Sequence, residues 1–137
     1  MSFSDVWENM ILQHRFNIQS WATTELYVGL SSSDPLDDSS GVSEPTSGKG
    51  YARVKTTDGS STSWQVVDAT GTTVDNAVSI EFPAATADWG DLFYGVLYSG
   101  STSGSSILAS GALTTNKLIE SGDIARFAAG SMNFGLK

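Results

Sequence analysis

The chain has 137 residues, 39% of them hydrophobic and 16% charged, with a formal net charge of −8 at pH 7. That length is one ordinary domain, and seven Lys and Arg against fifteen Asp and Glu exclude a surface able to neutralise many phosphates, so neither nucleic acid nor an anionic membrane is an expected partner. Cysteine is missing, which excludes a disulfide framework and any thiolate-held metal.

The opening MSFSDVWENM is acidic and lacks the apolar stretch of a secretory signal. No run approaches the roughly 18 apolar residues of a membrane span. The segment SDVWENMILQHRF is the one good helix candidate. Asp5 with Glu8 three residues on looks like an N-cap and its reciprocal partner. Trp7, Met10, Ile11, His14 and Ile18 then fall on one stripe at helical spacing, to pack on the domain or on a neighbouring subunit. Residues 1–20 are expected to form this helix and a linker, and residues 25–137 a β domain.

From ELYVGL onward the pattern has period two, with Leu26, Val28 and Leu30 on one face. The polar stretch SSSDPLDDSSGVSEPTSGKG, residues 31–50, exceeds the usual connection and is expected to be functional or mobile. YARVKT, SWQVV and NAVSIEF restart strands, the last two separated by the turn-like DATGTT. Val78, Ile80 and Phe82 point one way until Pro83, which has no N–H for a ladder, stops the strand. LFYGVLY is apolar on both faces and reads as a strand covered on both sides. SILASGAL, a segment around DIARFAA, and MNFGL, with Met132, Phe134 and Leu136 on one face, complete about eight strands. Such spacing suits a mainly β fold: an antiparallel β-sandwich, jelly-roll-like, with one N-terminal α-helix.

Three blocks resemble a family of tailed bacteriophages and prophages, the small tail-fibre-like or virion structural proteins. They are WENMILQHRF with ELYVGLSSSDP, then YARV after a glycine, then IEFPAATADWG with ILASGALTTNKLIESGD. FPAATADWG and GALTTNK are the most specific. The resemblance implies a non-enzymatic part of the virion, made in the host cytoplasm. The chain is short and has no heptad or repeat shaft. It would therefore be an accessory protein on the capsid (decoration or cement) or tail, a homo-oligomer bound to major capsid or tail proteins. The alternative is a fibre-associated module whose Asp- and Ser-rich loop recognises a host surface glycan.

Candidate chemistry is sparse. The single histidine, His14, sits on the helical stripe, where a structural or interface role outweighs catalysis. GSTSG at residues 100–104 has Thr where a nucleophile elbow needs Ser and reads as a hairpin turn. GKG at residues 48–50 lacks the spacing of a phosphate loop. Asp34, Asp37 and Asp38 could supply hard oxygen ligands to Ca²⁺, but the spacing is not that of an EF-hand and Asx turns are the plainer reading. Asp88 and Asp91 flank Trp89, a combination that either binds sugar or closes the end of the core. Trp7 and Trp21 flank the helix and, with Met10, Ile11 and His14, are the candidate interface residues. No cofactor and no metal are expected.

Overall fold

A computed structural model describes residues 2–19, 25–58, 61–69, 71 and 73–135. A short strand, β1 (Ser2–Phe3), leads into helix α1 (Asp5–Arg15). Ser4, not Asp5, is the cap. Its hydroxyl accepts the Trp7 amide at 3.3 Å and donates to the Ile107 carbonyl at 2.7 Å. The reason is tertiary: β1 pairs with a later strand, which seats Ser4 against it. Asp5 and Glu8 remain in the first turn, where the positive end of the helix dipole favours them.

Only two of the five residues of the helical stripe are used. Trp7 and Met10 pack against the core beside Phe3, whose ring centroid lies 4.4 Å from that of Trp7. Ile11, His14 and Ile18 stay exposed, and so do Leu12 and Phe16.

The strands that follow are β2 (Leu26–Ser31), β3 (Val54–Thr57), β4 (Trp64–Val66), β5 (Thr73–Asn76), β6 (Ile80–Glu81), β7 (Gly90–Tyr98), β8 (Ile107–Ile119), β9 (Arg126–Phe127) and β10 (Asn133–Gly135). All pairings are antiparallel. They make a five-stranded sheet in the order β1-β8-β7-β2-β3, a three-stranded sheet β10-β5-β4 and a pair β6-β9. The main core lies between the large sheet, through Val28, Leu30, Leu92, Leu97 and Leu108, and the smaller ones, through Ile80, Phe127 and Phe134. This is the mainly β sandwich that the alternation implies. The jelly-roll refinement is not something these pairings establish, since β2–β3, β4–β5 and β7–β8 are simple sequential pairs.

Two strands differ from expectation, each for a local reason. NAVSIEF does not run as one strand. The Asn76 amide, fully buried, donates to the carbonyls of Val78 at 2.8 Å and Ala128 at 2.9 Å, and its oxygen accepts the Met132 amide at 2.9 Å. That capture of the carbonyl two residues on bends the chain. Asn76 therefore ends β5, Val78 turns out to solvent, and only Ile80 and Phe82 face the core. LFYGVLY is covered on both faces only from Gly95 to Tyr98, and Phe93 is exposed. Opposite it, Leu92 pairs with Lys117 and Tyr94 with Ala112, so residues 113–116 of β8 stand against one residue of β7. This wide bulge strips Phe93 of a neighbouring strand's cover.

Candidate functional site

The 31–50 segment is not a free loop. It folds back on the outer face of the large sheet, where Val42 packs on Tyr27, Val96, Tyr98 and Ile107. A buried ionic lock holds it there. Arg53 donates to both Glu44 oxygens, at 3.0 and 2.6 Å, and to the carbonyls of Gly100 and Thr102 at 3.0 and 2.7 Å. Its guanidinium carbon lies 3.4 Å from the centroid of the Tyr98 ring. The Tyr51 hydroxyl donates to Glu44 Oε1 at 2.6 Å and accepts the Leu30 amide at 2.9 Å. Arg53 thus ties the long segment to the β7–β8 turn, with a planar fork that lysine could not imitate, and Tyr51 ties it to β2.

The lock requires Gly29. A Cβ there would lie 2.7 Å from Glu44 Oε1, 2.7 Å from Tyr98 Cε2 and 2.8 Å from the Tyr51 hydroxyl. Gly41 plays the same part further along, where a Cβ would collide with the Asp34 carbonyl.

Burial, followed by the Glu44 carboxylate, pushes the Tyr51 and Tyr98 hydroxyls well above the usual tyrosine range. The protonated form is the one the fold stabilises. Its contribution is complete below about pH 10, the unfolded tyrosine value, and is lost as pH rises beyond it. Chemical denaturation should show stability falling above about pH 10 by up to roughly 1.4 kcal/mol per pH unit for each such tyrosine. Tyr51→Phe should make that fall shallower. A variant with the wild-type slope would disprove the assignment for Tyr51.

Of the acids singled out by sequence, Asp37 is exposed in a turn and the other four are engaged separately. Asp34 Oδ1 accepts the Leu36 amide and Asp38 Oδ1 the Ser40 amide, both at 3.0 Å, as Asx turns do. The Ser40 hydrogen bonds hold the Asp38 carboxyl below its ordinary value. Among the described residues no three of His, Asp and Glu gather as a metal-ligating group. Asp88 accepts the Ser121 amide at 2.9 Å, while Asp91 accepts the Asn116 side-chain amide at 2.8 Å.

Trp89 is buried against Tyr51 and Phe82, with centroids at 5.3 and 6.4 Å, and its indole N–H donates to the Lys49 carbonyl at 2.9 Å. Its ring is 7% exposed and closes the end of the core. GKG overlaps a 3-10 turn, Ser47–Lys49, which Gly50 caps and which presents this carbonyl. Trp7 and Met10 are half-buried in the chain's own core, Ile11 and His14 are exposed on α1, and Trp21 lies outside the described residues.

A polar cleft of about 360 Å³ opens where the β8 bulge faces the segment from Arg126 to Asn133. Thr114, Thr115 and Lys117 line one side, Arg126, Ser131 and Asn133 the other, and Phe127 and Met132 lie beneath. Lys117 Nζ sits 4.9 Å from the Phe127 ring centroid, and Arg126 Nε is 3.2 Å from Glu81 Oε1. A second cleft of about 340 Å³ shares Lys117 and Arg126 as its border. Sequence reasoning passed over both cations. The available signal was their scarcity in a strongly acidic chain.

No curated protein matches the chain. The model of the family described as podophage GP4 fiber I protein gp80 matches residues 2–135. That span takes in the helix, the locked segment, the Trp89 turn and both walls of the cleft, so the chain belongs to the podophage GP4 fiber I protein gp80 family.

Proposed function

We propose that the protein is a non-enzymatic adhesive module of a phage tail fibre, working by contact with other fibre subunits and with the host surface. The family match over residues 2–135 carries this reading. It favours the tail over the capsid-decoration alternative, because the matched family is named for a fibre. The fold suits the role. A sandwich whose longest connection is clamped by Arg53 presents fixed surfaces rather than mobile ones. Imaging of intact virions with a labelled antibody fragment should place the protein at the tail. Label spread over the capsid lattice would instead restore the decoration reading.

Self-association through α1 belongs to the same reading. Leu12 and Phe16 are 57% and 73% exposed, with Ile11 and Ile18 close by. The first turn is acidic, through Asp5 and Glu8, and the last basic, through His14 and Arg15. An antiparallel second copy would cover the apolar residues and set each acidic end beside a basic one. Sedimentation equilibrium should show a dimer, converted to monomer by Leu12→Asp with Phe16→Asp. A wild-type chain that stays monomeric at the highest concentrations reached would refute the pairing.

A further inference from the structure

We propose that the cleft between the β8 bulge and Arg126–Asn133 binds an acidic glycan, a polyhydroxyl chain bearing a carboxylate or a phosphate, and this deepens the host-surface contact proposed above. Charge is the first argument. The protein carries −8 overall with seven Lys and Arg, so most of its surface repels anions. Lys117 and Arg126 line one cleft together, which makes that cleft a local exception.

Both cations are available. Among the described residues Lys117 has no ion-pair partner, and its contact with the Phe127 ring holds the ammonium at the cleft wall. The Glu81 ion pair orients Arg126 through Nε, and no hydrogen bond among the described residues engages its terminal amino groups. A guanidinium held this way offers the paired donors that a carboxylate or phosphate accepts.

The remaining groups suit a sugar. The side chains of Thr114, Thr115, Ser131 and Asn133 are exposed and make no hydrogen bond among the described residues, so donors and acceptors for hydroxyls stand uncommitted around the anion site. Phe127 and Met132 are buried and only close the floor of the cleft, so recognition falls to the polar and charged side chains at its rim. The volume, about 360 Å³, falls at the small end of ligand sites. Because Lys117 and Arg126 also border the second cleft, a polymer could continue past them. The acid there, Asp123, turns a carboxylate oxygen to the Glu120 amide at 3.0 Å.

The test is an NMR titration of the isotopically labelled chain with trigalacturonate, with its methyl ester, and with mannose 6-phosphate. Amide shifts should appear in residues 114–117 and 126–133 with trigalacturonate, mannose 6-phosphate or both, identifying a carboxylate or a phosphate ligand, and not with the neutral ester. The double variant Lys117→Gln, Arg126→Gln should weaken the response about tenfold or more, while the spectrum of the core stays unchanged. Equal response to the ester, shifts confined to other surfaces, or no response to either anion would overturn the proposal. Virion imaging of the same double variant separates the two readings. Tail label with no anion bound to the wild-type chain would sink the cleft alone, whereas anion binding without tail label would sink the fibre assignment alone.

Discussion

Replacing Arg53 with Met should cost about 3–5 kcal/mol of folding stability, measured by urea denaturation, because a buried ion pair broken on one side leaves a charge without compensation. The Arg53 side chain is 6% exposed and that of Glu44 20%. The variant leaves the Glu44 carboxylate with the Tyr51 hydroxyl but no cation, takes the donor from the Gly100 carbonyl, and leaves the Thr102 carbonyl with the Ser105 amide alone. It also removes the cation from the Tyr98 ring. The double variant Arg53→Met, Glu44→Met should lose less than Arg53→Met alone, since taking away both charges removes the desolvation penalty with the attraction. If the single variant fell within about 0.5 kcal/mol of wild type, the range of an ordinary surface change, the lock would not be what holds the 31–50 segment.

Trp89→Ala should cost a comparable amount, about 3–5 kcal/mol, through lost apolar burial and the cavity left behind. The indole closes an aromatic cluster with Tyr51, Phe82 and, through Phe82, Phe127. Trp89→Phe keeps most of the apolar area and leaves the Lys49 carbonyl with the Thr86 amide, at 3.0 Å, as its donor, so the lost indole hydrogen bond should cost only about 0.5–1.5 kcal/mol. Trp89→Phe should bind the anionic probes as wild type does, because the ring lines neither of the clefts that Lys117 and Arg126 border. Thermal and urea unfolding check the stability values. A stable Trp89→Ala chain with impaired glycan binding would reverse the assignment and make this ring a ligand contact.

Part of this was legible beforehand. The alternation of Val28 with Leu30 and of Ile80 with Phe82 marks core-facing positions correctly, because a strand's faces repeat every two residues whatever it pairs with. Pro83 after IEF, and the turn around Trp89, are likewise properties of a few adjacent residues. Val78 broke the pattern because a buried amide two residues earlier redirected the backbone. The Ser4 cap was misplaced by one position, since its second partner is the Ile107 carbonyl, 103 residues away.

The amino-acid order by itself determined the class of fold, the leading helix, the core-facing positions Val28, Leu30, Ile80 and Phe82 and, through the block pattern that the family match bears out, membership of a phage structural family. Those features depend on local geometry and on apolar surface leaving water. Tertiary structure alone decided that Arg53 reaches Glu44 and the 100–102 turn, that four residues of β8 bulge against one of β7, and that Lys117 and Arg126 line the same cleft. Each joins groups from separate segments, and a side chain's spacing along the chain carries no record of which distant segment the sheet brings beside it.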